Sequence, residues 1–451
     1  MSGGHVGGST GLEGSAGFER DGGAYRVLSL DGGGTWVEIE LLTLMNLFGN
    51  DARGHDVLKR FHLAVANSGG SVILACLALD KPLSEILTLY TDESKRRSTF
   101  RSTPFEWFVG KISGGRAPYP LYSTAKKREA LSEHLGHGAE VLLSDWRAEH
   151  PRLPNLVITA FDYDVERATF YRTNHASLAA SSQGQPDVSL LDAVHASTTA
   201  PLVFFDEPAR VRPVDGRRLR CWDGAFAALN NPIMAGVVEA LAERQAREHE
   251  ADAAEQGRRR SPRDIHVLSI GSGTVHRPRR PPGVSLQDPR FMGDEPSGWL
   301  RDVQKAAGAM VDDPPDSASF MAHVALGGEL PRTRRVVVDG PIVRMSPVVR
   351  PAFADGDWTW PPGLGNPSAP GVLDAWARLT RLRLDALAER DMDLIRSLCE
   401  AWFRGEIYNQ PIRANEATLD AEIGHDTYGA ARAAACRLFG CAPRESSSRG
   451  G

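Results

Sequence analysis

"RVLSLDGGGTWVEIELLTLMNLFG" (Arg26–Gly49) is the stretch that decides how this chain is read. A short apolar segment runs into three consecutive glycines, Gly32, Gly33 and Gly34, and then into a run dense in Leu and Met. A glycine-rich turn between a strand and a helix either presents bare backbone N–H groups to an anion or lets two elements pack closely. The anion can be a nucleotide phosphate, or the oxyanion that develops when an ester carbonyl is attacked. The second case requires a nucleophile.

One stands a strand later. In "FHLAVANSGGSVILACLAL" (Phe61–Leu79) an apolar strand ends at Ala66, Ser68 follows between Asn67 and Gly69, and an apolar helical run begins at once. Strand, tight turn and helix with Ser at the apex are the geometry of a nucleophile elbow, and small residues at Ala66 and Gly70 let the two backbones approach. The helix N-terminus also puts partial positive charge beside the Ser68 hydroxyl. A plain turn fits the same letters. A serine nucleophile needs a base, and two candidates are open. His195, in "LLDAVHASTTAPLVFF", is the one histidine in a well-patterned region, and Asp223, in "RCWDGAFAALNNPIM", precedes a Gly-Ala turn and a helix start. A solvated Asp, with a pKa of about 3.9, is a weak base. It serves only when partly desolvated and within hydrogen-bond reach of the serine.

Around these segments, short apolar runs alternate with longer helical ones from Tyr25 to about Thr274, as a parallel sheet with crossover helices requires. The strands are placed at "YRVLSL", "FHLAVA", "LVITAFD" with "ATFYR" beside it, and "IHVLSIG". "LYSTAKKREALSEHL" and "NPIMAGVVEALAERQAREHEA" carry apolar residues at helical spacing. The expected fold is α/β, a central mostly parallel sheet with helices on both faces, followed by a mainly helical C-terminal extension. Residues 1–24 read as a disordered Gly/Ser-rich leader, 25–275 as the α/β domain and 276–451 as the extension. Within the extension "GWLRDVQKAAGAMV" and "GVLDAWARLTRLRLDALAERDMDLIRSLCEAWFRG" read as helical, "TRRVVVDGPIVRMSP" as a β pair, and the tryptophans of "SPVVRPAFADGDWTWPPGLGNPSAPG" as packing or ligand contacts in a loop.

The chain of 451 residues carries a net charge of −5, with 41% hydrophobic and 24% charged residues, an ordinary globular balance that argues against nucleic-acid binding. Its five cysteines show no CxxC and no zinc spacing, so a reducing cytoplasm fits best. No secretory signal and no membrane span is read from the sequence.

Taken together, the ordered segments resemble the patatin-like phospholipases, acyl hydrolases with a Ser-Asp dyad. "LSLDGGGTW" resembles the family's Asp-Gly-Gly-Gly-x-Arg-Gly oxyanion loop, "FHLAVANSGGS" its Gly-x-Ser-x-Gly elbow, and "WDGAFAALNNP" its Asp-Gly-Gly/Ala motif with Asn-Asn-Pro. "LVITAFDYDVERATFYRT", "LLDAVHASTTAPLVFF" and "IHVLSIGSGT" follow in the family's order, so the likeness covers roughly residues 25 to 275. The resemblance implies Ser68 as nucleophile, Asp223 as its base, oxyanion donors from Gly32, Gly33 and Gly34, and neither metal nor organic cofactor. It further implies lipid esters as substrates, met at a membrane or micelle surface by a cytoplasmic enzyme, and leaves the oligomeric state open. Trp36 and Val37 replace the loop's Arg and Gly, Ala66 replaces the elbow's first Gly, and Gly69-Gly70-Ser71 replaces Thr-Gly-Gly.

Two other readings compete. "DGGGTW" and "SIGSGT" also resemble the phosphate loops of actin-like sugar kinases, in which a β-hairpin should follow the threonine, whereas "VEIELLTLMNLFG" reads as a buried helix. A catalytically weak binding or regulatory protein on the same fold would keep the architecture, and the Trp36 and Val37 departures keep that reading open. Two basic clusters, "GRRRSPR" (Gly257–Arg263) and "HRPRRPP" (His276–Pro282), flank "IHVLSIG" and offer either solvated loops or a surface for anionic headgroups.

Overall fold

A computed structural model of the chain describes residues 24–102, 121–174, 187–201, 204–252, 265–285, 314–330, 340–412 and 423–441, with positions 288, 291, 298 and 302 between them. The leader, the basic cluster 257–263 and nearly all of 298–311 lie outside the described residues.

The α/β expectation holds. β1 (Tyr25–Leu30), β2 (Leu63–Ala66), β3 (Asn155–Asp162), β4 (Arg167–Arg172), β5 (Ala209–Val211), β6 (Leu219–Asp223), β7 (Ile265–Ile270), and further on Ile342–Met345, form one eight-stranded sheet. The parallel centre comes from β1 pairing with β2 and β7, β2 with β3, and β7 with Ile342–Met345. At the other end β4, β6 and β5 add antiparallel rungs.

The central strands are buried on both faces, which explains their almost unbroken apolar sequence. Because neighbouring side chains point to opposite faces, Leu28, Ala64, Ile158 and Leu268 enter one apolar core and Val27, Val65, Val157 and Val267 the other. The helix Ile233–Asp252 covers the second face, and there Gly236 lets it sit close. A Cβ on Gly236 would lie 2.7 Å from a Val65 methyl.

One reading of the extension changes. Of "TRRVVVDGPIVRMSP", Ile342–Met345 is a strand beside β7, and 333–339 lie outside the described residues. The long helical stretch 371–405 is broken into Val372–Leu379 and Glu389–Phe403, because residues 380–388 leave the helix to make the site contacts described below. The tryptophans do pack: Trp358, Trp360 and Trp376 meet with ring centroids 5.3–5.7 Å apart. Cys436 and Cys441, the one close cysteine pair in the sequence, are joined by a disulfide, while Cys76, Cys221 and Cys399 are free and buried. Among the described residues no helix is long and apolar enough to cross a membrane.

Candidate active site

β3 brings the two candidate residues together. β4 occupies one edge of β3 along its length, so β2 and β6 share the other: Ala66 pairs with Ile158 where β2 ends, and Asp223 pairs with Ala160 where β6 ends. The elbow serine and the aspartate therefore leave the sheet at neighbouring rungs. His195 does not join them. It is buried in the helix Leu190–Ser197, and burial, aided by Lys127 and Arg128, pushes its imidazole well below its usual pKa.

At the elbow the backbone is strained. Asn67 is still extended, and Ser68 has φ 46°, a left-handed conformation that a residue with a Cβ adopts at a cost of about 1–2 kcal/mol. The helix Ser68–Ala78 starts there, and the Ser68 N–H donates to Ser197 Oγ at 2.8 Å. The two glycines after the serine have a steric reason. A Cβ on Gly69 would lie 2.7 Å from the Gly34 carbonyl oxygen and one on Gly70 2.4 Å from that of Asp31, so the glycine loop and the elbow helix meet backbone to backbone.

Asp223 is held from several sides. Its Oδ1 accepts from Asn67 Nδ2 at 3.0 Å and from the Ala225 N–H at 2.9 Å, and its own N–H donates to the Thr199 carbonyl at 2.8 Å. Asn67 is itself fixed by Thr159, whose hydroxyl donates to Asn67 Oδ1 at 2.7 Å. Burial raises the Asp223 carboxyl above the usual carboxylate range, against the hydrogen bonds of Ser68, Ala225 and Asn67 and the charge of Lys127. A raised carboxylate is a better proton acceptor than a solvated one.

Along the glycine loop the N–H groups are unequally free. Gly32 N–H donates to the Asn230 carbonyl at 2.7 Å, whereas among the described residues Gly33 and Gly34 N–H have no acceptor. "LNNP" thus anchors the loop through Asn230, and Asn231 caps the next helix by accepting from the Ile233 N–H at 3.1 Å. The loop's first residue, Asp31, pairs with Arg344 from the strand beside β7, Nη2 to Oδ2 at 2.6 Å, with both groups buried. Burial still outweighs Arg344 and raises the Asp31 carboxyl.

Sequence reasoning missed the contribution of residues 380–388. The Leu384 carbonyl accepts from the Thr35 N–H at 2.8 Å and from its hydroxyl at 3.1 Å, and Trp36 Nε1 donates to the Arg383 carbonyl at 3.2 Å. Trp36, where the resembled family has Arg, is therefore a buried tie to this crossing segment. Tyr122 donates to Asp385 at 2.5 Å, and Arg96 donates to the Leu387 carbonyl and to Glu389. An apolar cavity opens on Ser68 and Gly34, walled by Val72, Leu131, Phe205 and Leu384. The run after Thr35 is the helix Glu38–Phe48 and not the hairpin that a kinase phosphate loop requires.

Comparison with known proteins finds a family likeness over part of the chain. Residues 28–237 match the sequence profile of the family described as patatin-like phospholipase. An "Intracellular phospholipase A2" of Caenorhabditis elegans is 22% identical over 287 residues, 63% of this chain but 22% of that protein's length. Among solved structures, VipD from Legionella pneumophila aligns over 89% of this chain and 72% of its own at 10% identity, with a TM-score of 0.29. Human GIVD cytosolic phospholipase A2, in complex with a fluorophosphonate inhibitor, aligns over 84% and 57% at 12% identity, also with a TM-score of 0.29.

Proposed function

From the premise that residues 28–237 are a patatin-like phospholipase domain, we propose that the protein is a lipid acyl hydrolase of the phospholipase A or lysophospholipase type. Ser68 is its nucleophile and Asp223 its base. The observation that carries this is the strained Ser68 beside the desolvated Asp223, facing an apolar cavity and the free N–H groups of Gly33 and Gly34.

In the first half of the reaction Asp223 takes the Ser68 proton as Oγ bonds to the ester carbonyl carbon. The carbonyl oxygen gains the electron pair and lies against the glycine-loop N–H groups. Collapse breaks the bond to the alcohol oxygen, which leaves with the proton from Asp223, and Ser68 remains acylated. Asp223 then takes a proton from water, the hydroxide attacks the acyl carbon, and Ser68 departs with that proton while the fatty acid is released. In this scheme Gly32 sets the loop through Asn230 and Gly33 and Gly34 are the donors. Ala66 and Gly70 let strand, loop and helix close around the serine.

We place the reaction at a membrane or micelle surface. The apolar cavity suits an acyl chain, and the described basic cluster His276–Pro282 exposes Arg279 beside the sheet end. Charge reversal of both basic clusters that left binding to anionic vesicles unchanged would remove the docking part of this reading.

The test is fatty-acid release from phospholipids, lysophospholipids and short p-nitrophenyl esters by wild type, Ser68→Ala and Asp223→Asn, with fluorophosphonate labelling alongside. Activity and labelling in wild type, with activity lost in both variants, is expected. Wild-type protein inert in both assays would instead leave a binding or regulatory protein on this fold.

A further inference from the structure

One polar group at the site has no part in that scheme. Lys127 lies in the helix Thr124–Leu135 and is 1% exposed, yet it lines the cavity that opens on Ser68. Its Nζ donates to the His195 carbonyl at 2.9 Å, to Thr198 Oγ1 at 2.9 Å and to Thr199 Oγ1 at 2.5 Å, and it stands 4.6 Å from the centre of the Phe205 ring.

With the threonine hydrogens placed on nearby carbonyls, hydrogen counting favours the ammonium. Each threonine hydroxyl has one hydrogen, and both are spent: Thr198 Oγ1 donates to the Val194 carbonyl at 2.8 Å and Thr199 Oγ1 to the His195 carbonyl at 2.6 Å. With those hydrogens so placed, both hydroxyls accept from Lys127, as does the carbonyl. Three acceptors require three N–H groups, which an ammonium has and a neutral amine lacks. Burial pushes the Lys127 ammonium well below its usual pKa, and the negative charge of Asp223 opposes that. The aromatic face of Phe205 favours the cation as well.

Among the described residues the charged surroundings give this cation one anionic counterpart, Asp223. His195, on the helix beside it, is pushed toward neutrality, as burial also does to His134 on its own helix. Arg128 pairs with Asp192, and Arg96, across the cavity, pairs with Glu389. From Asp31 to Val37 the glycine loop carries no cationic side chain. Lys127 also reaches Asp223 mechanically. Thr199, whose hydroxyl it holds, accepts the Asp223 N–H on its carbonyl.

We propose that Lys127 is a positioning residue for the hydrolysis: its ammonium holds the Thr198–Thr199 turn on which Asp223 hangs and supplies the positive charge facing the Asp223 carboxylate. This rests on the reading of Asp223 as the base. In a medium of low dielectric such a charge favours the ionised carboxylate, the form able to take the Ser68 proton. As pH falls, Asp223 with Lys127 present stays ionised to lower pH than Asp223 without it.

The experiment compares wild type, Lys127→Met and Lys127→Arg in the pH dependence of kcat/KM on a short p-nitrophenyl ester. In Lys127→Met the acid limb is expected to move up by about one pH unit, a loss of about tenfold on the acid side, with much of the activity returning at higher pH. Lys127→Arg, which keeps the charge, should hold the limb near that of wild type. A folded Lys127→Met protein with an unmoved limb overturns the proposal, since a merely structural lysine lowers the plateau without shifting the limb. Should Lys127→Met fail to fold, Thr199→Val removes one tether and is expected to move the limb in the same direction. A second readout does not need activity: ¹⁵N spectra of the lysine side chains should show one slowly exchanging ammonium, absent in Lys127→Arg, and a neutral amine there overturns the proposal. Wild type that hydrolyses no ester refutes the enzymatic reading instead, while the spectra still report on the ammonium.

Discussion

Ala66 and Asp223 sit on the same edge of β3, opposite Ile158 and Ala160. β2 ends where β6 arrives, so one parallel and one antiparallel partner deliver Ser68 and Asp223 to a single point from residues far apart in sequence.

Asp223 is buried with a raised pKa. Its folded pKa exceeds its unfolded value, so the folded state binds the proton more readily. Stability therefore falls as pH rises from the usual carboxylate range through the raised value, and the loss is complete above it. Asp223→Asn keeps an acceptor for Asn67 and Ala225 and removes the buried charge. It is expected to be inactive, yet to melt higher than wild type at neutral pH, with the gap closing as pH drops below the usual carboxylate range. Calorimetry across that window checks it, and a variant that melts lower at neutral pH refutes it.

Ser68 and its φ of 46° separate catalysis from strain. Ser68→Gly should gain about 1 kcal/mol over Ser68→Ala, because only glycine adopts that conformation freely. Both lack the proposed nucleophile and both should be inactive. Equal denaturant midpoints for the two would mean that the elbow is unstrained.

Trp36 ties the glycine loop to residues 380–388 through its indole N–H. Trp36→Phe keeps most of the ring and removes that hydrogen bond, for an expected cost of about 1 kcal/mol. Amide exchange should quicken in 380–388 and remain unchanged in β1 and β7. Unaltered exchange in 380–388 would show that the threonine bonds to Leu384 suffice to hold the segment.

The buried pair of Asp31 and Arg344 fastens the loop to the strand beside β7. Arg344→Met leaves the Asp31 carboxyl without its partner and should destabilise by about 3–5 kcal/mol. Adding Asp31→Asn to that variant should recover part of the loss. A double variant no better than the single one would place the cost in the other bonds of Arg344, to Ser269 and Gln410.

Much of this was legible in sequence because the local patterns are strong. "YRVLSL" and "IHVLSIG" become β1 and β7 nearly to the residue, since a strand buried on both faces leaves an unbroken apolar run. "NSGGS" could be read as an elbow because the approach to the Asp31 and Gly34 carbonyls excludes side chains at Gly69 and Gly70. Residues 380–388 were not legible. "TRLRLDALA" has helical composition, and what pulls it out of the helix is a set of acceptors for Thr35 and Trp36, a long-range demand that periodicity does not record. Lys127 left a trace that was passed over: it falls on the stripe of Ala130, Leu131 and Leu135, where a charged residue on a buried face calls for a partner.

The bond between Thr35 and Leu384 spans 349 positions. A chain made from its N-terminus has Ser68 and Asp223 outside the ribosome long before Leu384 is synthesised. Translation order therefore sets a clock on the site, and a chain cut short before residue 380 would carry Ser68 and Asp223 with a glycine loop held by Asn230 and Arg344 but lacking the ties of Thr35 and Trp36.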